Sequence, residues 1–398
     1  MEQIGIIGSG AMGAGIAQVA ATAGHAVIVY DNNRDALDKA KANLDSTLKK
    51  LVEKQKINDS TAKGIAERTR YASDLREFKD CGLIIEAIIE NLEVKQKLFA
   101  ELEAVVNPEC ILATNTSSLS IASIASACKK ADRVIGIHFF NPAPLMPLVE
   151  IIPGIMTEKA VTDASKRLID SWGKVTVLTK DTPGFIVNRV ARSFYGESIR
   201  IYEEGIADFA TIDWALRTHG GFKMGPFELM DFIGNDINYK VTESVWTQFF
   251  YEARFKPSLT QKRLYEAKLF GRKTGRGYYN YAEGAAMPEP VKNDELAKSI
   301  FYRVISMLIN EAIDSLYMGL ATAEDLDLAM TKGVNYPKGL LKWADELELT
   351  NILNLLNNLH TEYREERYRP SVLLQRMVKE NRTFYPRNDL PEGKRVIV

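Results

Sequence analysis

Residues 3–7 form a short, mainly apolar run of strand type, and after a short turn of small residues apolar positions recur at helical spacing as far as Ala23, where Gly24 stops them. A second β-branched run, 26–30, ends on Asp31. The alternation continues downstream: strand-like 83–89, helical 92–106, extended 110–114, helical 121–127, then two strand-like runs, 133–139 and 148–153, around a loop holding Pro142, Pro144 and Pro147. Strands alternating with helices predict an α/β, Rossmann-type doubly wound domain over residues 1–182. From residue 183 the pattern is helical throughout, with Pro183 expected at a helix N1 position.

The helical part repeats itself. Arg189-Val190, Glu197, Gly205, Asp213, Gly225 and Asp231 recur 114 positions later as Arg303-Val304, Glu311, Gly319, Asp327, Gly339 and Asp345. Two all-α domains are therefore expected, 183–286 and 291–398, joined by the proline-rich Met287-Pro288-Glu289-Pro290. The second has Tyr302 where the first has Asn188, and it lacks a counterpart to Lys273-Thr274-Gly275-Arg276-Gly277, which predicts a structural role for it.

A chain of 398 residues, 46% hydrophobic and 26% charged, is long enough for two or three globular cores. Fifty-one basic residues against 52 acidic ones give a net charge of −1, so the positive field of a non-specific nucleic-acid binder is missing and any phosphate must be met locally. Three cysteines without a CxxC pair exclude a disulfide framework and a cysteine zinc site. No run approaches a membrane span and no signal-peptide pattern opens the chain, so the expectation is a cytoplasmic protein that engages neither membrane nor nucleic acid.

Between the first strand and helix lies Gly8-Ser9-Gly10-Ala11-Met12-Gly13. Gly8 suits the tight turn, Gly10 a close approach of backbone to a pyrophosphate, and Gly13 the packing of helix on strand, while the helix N-terminus offers free N–H groups to the phosphates. Asp31, 18 residues beyond Gly13, stands where a dinucleotide fold needs its ribose acceptor, and its charge favours NAD over NADP. Arg34 reads as a solvated residue of the next helix rather than a 2′-phosphate partner.

Polar residues gather at other strand ends. Glu90-Asn91 follows one strand and Asn115-Thr116-Ser117-Ser118 another; Ser117 is a substrate contact on this reading, and Ser118 or Ser120 a helix cap. Of the four histidines, His25, His138, His219 and His360, only His138 combines a strand end with a carboxylate, Glu150, that the proline-stiffened loop brings within reach. No metal ligand set is needed for such a base. Lys39, Lys41, Lys49, Lys50, Lys54 and Lys56 fall on one long helical stretch from Arg34, either a solvated face or a phosphate site.

These segments, with Asp181-Thr182-Pro183-Gly184-Phe185-Ile186-Val187-Asn188-Arg189, Met224-Gly225-Pro226-Phe227-Glu228-Leu229-Met230-Asp231 and Lys273-Thr274-Gly275-Arg276-Gly277-Tyr278-Tyr279, resemble the 3-hydroxyacyl-CoA dehydrogenase family over residues 1 to about 282. The resemblance implies NAD as cofactor, held by Gly8, Gly10, Met12, Gly13, Asp31, Glu90, Lys95 and Asn115. It implies His138 and Glu150 as the catalytic pair, Ser117 and Asn188 as the residues that hold the substrate, and Asn141 beside the histidine. The implied reaction is the reversible oxidation of a 3-hydroxyacyl-CoA to the 3-oxoacyl-CoA in fatty-acid metabolism. Many members carry a lysine at the position of Pro147, which affects loop detail only. Short members dimerise through the single helical domain, so the resemblance implies either an internal pseudo-dimer or a homodimer on another surface. Two rival functions remain: dehydrogenation of a free hydroxy acid such as gulonate, which needs no CoA phosphate site, and a non-catalytic NAD-binding role, against which the intact His138, Glu150, Ser117 and Asn188 argue.

Overall fold

The computed structural model describes residues 3–386 and divides into two compact units, Met1–Phe185 and Ile186–Val398. In the first unit eight strands form one sheet: β1 (Ile4–Ile7), β2 (Val27–Tyr30), β3 (Thr69–Ala72), β4 (Leu83–Glu86), β5 (Ile111–Thr114), β6 (Val134–Phe139), β7 (Leu148–Pro153) and β8 (Val175–Leu178). The strand order is β3-β2-β1-β4-β5-β6-β7-β8, and every neighbouring pair is parallel except β6–β7. This is the expected doubly wound fold. Helices α1 (Ala11–Thr22), α2 (Arg34–Glu53), α3 (Asp59–Arg68), α4 (Leu92–Val105), α5 (Ile121–Ala125) and α6 (Lys159–Ser171) connect the strands.

Both sheet faces are covered, which is why β1, β4 and β6 are apolar on both sides rather than alternating. Ile4, Ile6, Val27, Val29, Ile135, Ile137 and Ile151 pack on one face with Ile16, Ala17 and Ala20 of α1. Ile7, Ile84, Leu112, Val134 and Ile152 face the other side with Leu98, Phe99 and Leu102 of α4. Phe185 is buried in this second cluster and is the last residue of the first compact unit.

Two local expectations need correction. Pro183 does not open a helix: Gly184 and Phe185 both take positive φ, +75° and +48°, and a turn precedes α7 (Val187–Val190). The long lysine-bearing helix ends at Glu53 rather than near Lys56, because a turn containing Gln55 at φ +55° intervenes before Asn58 caps α3.

The second unit is all-helical among its described residues: α7, α8 (Arg192–Glu203), α9 (Phe209–Gly220), α10 (Pro226–Ile233), α11 (Asn235–Gln248), α12 (Leu259–Glu266), α13 (Asp294–Tyr317), α14 (Ala323–Gly333), α15 (Leu340–Leu347), α16 (Leu349–Tyr363) and α17 (Val372–Glu380), with short 3₁₀ turns between some of them. Residues 387–398 of the expected 291–398 domain lie outside the described residues. Contacts recur at the spacing of the sequence repeat. Arg189 Nε bonds Glu311 Oε1 at 2.6 Å, and Arg303 Nε bonds Glu197 Oε1 at 2.6 Å. Asp213 accepts from the backbone N–H of Phe227 and Glu228, and Asp327 from those of Leu341 and Lys342. Asp231 accepts from Tyr278 and Tyr279 N–H, and Asp345 does the same for Phe384 and Tyr385. The second copy thus keeps the aromatic latch although it lacks the Lys-Thr-Gly-Arg-Gly loop. Helix α13 is packed by α8 and α9 of the first copy and by α15, α16 and α17 of its own, so nearly all its residues from Ile300 to Ser315 are buried.

Candidate functional site

The glycine turn sits between β1 and α1. Gly8 has φ +101°, and a Cβ there would meet the Ala87 carbonyl oxygen at 2.6 Å; a Cβ on Gly13 would meet the Gly8 carbonyl oxygen at 1.8 Å. Gly10, the N-cap of α1, has nothing within 4 Å of its Cβ position and no side chain caps the helix. The two packing glycines are therefore enforced by protein, and the middle one faces open space beside free helix N–H groups. A cleft of about 660 Å³ opens there, lined among others by Gly8, Gly10, Met12, Asp31 and Ile88. At its rim Asp31 Oδ2 accepts from Ser9 N and Ser9 Oγ at 2.8 and 2.9 Å, and Oδ1 accepts from Asn33 N at 3.0 Å. Partial burial would raise the Asp31 pKa, but the bonds from Ser9 and Asn33 outweigh it and hold the carboxyl below its ordinary value. An ionised Asp31 is what the diol of an unphosphorylated ribose requires, so this chain's residues fit NAD. Arg34 is the first residue of α2 and is exposed.

His138 and Glu150 meet through strand register. In the antiparallel β6–β7 pair they stand directly opposite, and His138 Nδ1 lies 2.7 Å from Glu150 Oε2. Strand alternation explains the facing: Ile135, Ile137 and Phe139 fill one core face, so His138 projects from the other, where Phe140 and Phe185 flank its ring at 4.6 and 5.8 Å between centroids. Glu150 is completely buried and His138 is 6% exposed. With Nδ1 tied to the carboxylate, Nε2 is the nitrogen free to exchange a proton with a ligand. The loop between the two strands is held on both sides. Gly15 of α1 leaves room for Ala143 and Pro144, and Lys174 Nζ donates to the Ala143 and Met146 carbonyls at 2.6 and 2.9 Å.

At the ends of β4 and β5 lies a polar network. Glu90 accepts from Thr116 Oγ1, Ser118 Oγ and Ser117 N, and Lys95 Nζ is 3.3 Å from its other oxygen. Burial would raise the Glu90 pKa; the Lys95 charge and these bonds reverse the sign and keep it low. Lys95 is itself 1% exposed, with Nζ 2.5 Å from Glu86, whose second oxygen accepts from Thr114 Oγ1 at 2.7 Å. Lys95 is therefore bound up in protein carboxylates and acts on the site through Glu90. Glu86 was missed in the sequence; its signal is one acid closing an otherwise apolar strand. Ser120, not Ser118, caps α5, and the Ser117 hydroxyl has no hydrogen-bond partner among the described residues. Asn115 Oδ1 accepts from Phe139 N at 2.8 Å, which ties β5's end to the strand bearing His138. Asn141 is exposed in the loop.

In the helical unit Asn188 is half-buried on α7, and its side-chain amide has no partner among the described residues. The six lysines from Lys39 to Lys56 are all exposed and form no ion pair among the described residues; Lys41, with Asp31, Arg34 and Arg70, lines a second cleft of about 730 Å³.

Comparison with known proteins decides the family. Residues 3–182 match the model of the 3-hydroxyacyl-CoA dehydrogenase NAD-binding domain, and residues 184–281 and 300–386 match the model of the 3-hydroxyacyl-CoA dehydrogenase C-terminal domain. The chain belongs to the 3-hydroxyacyl-CoA dehydrogenase family. It is 38% identical to the 3-hydroxyadipyl-CoA dehydrogenase of Escherichia coli K12, over 96% of this chain and 98% of that one. It is 40% identical to the human mitochondrial hydroxyacyl-coenzyme A dehydrogenase over 71% of its length and 91% of the relative's. Among solved structures, the 3-hydroxybutyryl-CoA dehydrogenase of Escherichia coli K12 superposes with a TM-score of 0.90 at 38% identity, covering 96% of this chain and 99% of that one. The function expected from the sequence, an NAD-dependent 3-hydroxyacyl-CoA dehydrogenase, is that of the family, and NAD is its cofactor. Among the described residues, no helix of this dehydrogenase is long and apolar enough to cross a membrane.

Proposed function

We propose that the chain interconverts (S)-3-hydroxyacyl-CoA and 3-oxoacyl-CoA on a short acyl chain, 3-hydroxybutyryl-CoA or 3-hydroxyadipyl-CoA being the substrates in the names of its relatives. The observation that carries this reading is the buried His138–Glu150 pair in the same unit as an open glycine turn with an ionised Asp31. NAD, when bound, supplies the two-electron oxidant. His138 Nε2 takes the proton of the 3-hydroxyl, and Glu150 fixes the ring and stabilises the imidazolium that results. The unengaged hydroxyl of Ser117 and amide of Asn188 hold the substrate's oxygens. Glu90, kept anionic by Lys95, orders the backbone and hydroxyls of 116–118 around Ser117. One or more of the exposed α2 lysines meets the CoA phosphates. The domain reading is likewise a proposal: residues 183–286 carry the substrate-holding Asn188, and 291–398 are a structural duplicate that covers the first copy. The chain works as an internal pseudo-dimer, or as a homodimer through another surface, in the cytoplasm.

NADH oxidation with acetoacetyl-CoA, compared with free acetoacetate, tests this function. Turnover of the thioester with little of the free acid is expected, and the reverse preference would transfer the site to the hydroxy-acid reading. Cofactor choice has its own test. Asp31→Ser is expected to shrink the preference for NADH over NADPH by removing the charge that repels a 2′-phosphate. A wild-type enzyme that already prefers NADPH would contradict the role given to Asp31.

A further inference from the structure

Five arginines are buried among the described residues: Arg133, Arg189, Arg192, Arg254 and Arg303. Four have carboxylate partners. Arg133 faces Glu103, Arg189 faces Glu311, Arg254 faces Glu311 and Asp314, and Arg303 faces Glu197 and Glu204. Arg192 has none. Its Nε donates to the Asn188 carbonyl at 2.7 Å and its Nη1 to Thr242 Oγ1 at 3.2 Å, and its guanidinium lies 5.0 Å from the Tyr195 ring centroid. Nη2 makes no hydrogen bond among the described residues and is not one of the fully enclosed orphan atoms, so one edge of the guanidinium is open. A buried cation left with neutral partners is costly, and burial accordingly pushes the Arg192 pKa below its ordinary value. Folding alone does not explain its presence.

The internal repeat separates scaffold from function at this point. Arg189 and Glu197 recur as Arg303 and Glu311 because both copies need the same ion pairs. Arg192 recurs as Ser306, Tyr195 as Ile309 and Asn188 as Tyr302, so the first copy alone carries this polar group. The second copy contributes one member in return. Tyr336, opposite Phe222 in the repeat, interacts electrostatically with Arg192 and Tyr195, and its buried hydroxyl has no partner. A cation with an open edge beside two phenols, one of them orphaned, presents the kind of donors that a small anion requires.

We infer that Arg192, with Tyr195 and Tyr336, receives the distal carboxylate of a dicarboxylic 3-hydroxyacyl thioester and so determines acyl-chain specificity. This rests on the proposed function, through the role of Asn188. Arg192 stands one helical turn, about 5 Å, beyond Asn188. Three carbon–carbon bonds, roughly 4 Å, separate C3 of a six-carbon chain from its far carboxyl carbon, so the stretch from C3 to that carboxyl matches the spacing of adjacent turns. A pocket built to pair a carboxylate discriminates strongly against a chain that ends in a methyl, because its cation is then left unpaired.

The test measures kcat/KM of the full-length enzyme for NADH-dependent reduction of 3-oxoadipyl-CoA and of acetoacetyl-CoA. The wild type is expected to favour 3-oxoadipyl-CoA. Arg192→Gln is expected to lower the ratio of the two kcat/KM values by roughly 10- to 100-fold, mainly through the KM of the dicarboxylic substrate. Arg192→Lys recovers part of the loss, and Tyr336→Phe lowers the ratio a few-fold in the same direction. Tyr336→Phe installs the residue the first copy already carries, so it decides the matter if Arg192→Gln fails to fold. Equal losses on both substrates overturn the inference, since a structural role or contact with the CoA phosphates would affect both alike. A wild type that favours acetoacetyl-CoA overturns it too while leaving the proposed function standing. A wild type inactive on both thioesters removes the proposed function and this inference with it.

Discussion

Replacing His138 with glutamine is expected to lower kcat by about 10²–10⁴-fold while the Kd for NADH stays within experimental error. The size follows from what the side chain does. Glutamine keeps a polar group at the site but cannot accept the hydroxyl proton at neutral pH, so the step loses its base and keeps its binding contacts. The cofactor is held by residues that His138 does not touch: the glycine turn, the α1 N-terminus and Asp31. Stopped-flow turnover with acetoacetyl-CoA and fluorescence titration of NADH read the two quantities separately, and near-normal turnover would remove His138 from the mechanism. Glu150→Gln has a distinct signature. The amide can still orient the ring but no longer stabilises the imidazolium, so turnover falls and the acidic limb of the kcat/KM profile for oxidation, where protonation of the base stops the reaction, moves to lower pH. A wild-type pH profile in that variant would dissolve the pairing.

What the sequence shows and what it hides divide along physical lines. The turn at Gly8 to Gly13 is legible because three glycines, a strand before them and a helix after are all local requirements, and Asp31 follows at the end of the next strand. His138 and Glu150 are legible for a related reason: two apolar strands close in sequence around a short loop leave few ways to pair, and both side chains sit near the loop end. β3 and β8 leave weak traces. Thr-Arg-Tyr-Ala and Val-Thr-Val-Leu are four-residue strands at the two edges of the sheet, half-exposed and without an unbroken apolar run. Pro183 misleads because proline at helix N1 and proline in a turn look alike until the positive φ of Gly184 and Phe185 is known. Partners distant in sequence are hidden altogether. That Glu86 neutralises Lys95, or that Arg192 has no acid while Arg189 has Glu311, depends on contacts no local pattern encodes. The repeat was visible in the spacing of Arg189, Glu197, Asp213 and Asp231, yet their reciprocal bonding appears only in three dimensions.

A chain ending at Ala282 is expected to dimerise through the face that α13 now covers. It keeps His138, Glu150, Ser117, Asn188 and Asp31, and relatives such as the 3-hydroxybutyryl-CoA dehydrogenase of Bradyrhizobium diazoefficiens, of which 98% aligns to 72% of this chain, show that the family includes chains without the second copy. Truncation removes Glu311 and Asp314, so Arg189 and Arg254 lose every carboxylate they now bond. Leaving a buried charge without its partner costs about 3–5 kcal/mol, comparable to a good part of a domain's stability, and the apolar face left by α13 adds to that cost. A second truncated copy relieves both. The residue that occupies the place of Glu311 in the first copy is Glu197, so Arg189 of each chain can pair with Glu197 of the other, as Arg303 does with Glu197 in the intact protein. Light scattering should then report a dimer with residual dehydrogenase activity, and adding Glu197→Gln should abolish the dimer and leave aggregate. A soluble, active monomer, or a truncated dimer indifferent to Glu197→Gln, would mean that the second copy does not take the place of a partner subunit, and the reciprocal arginine–glutamate pairs would then mark common descent of the two halves without a common mode of assembly.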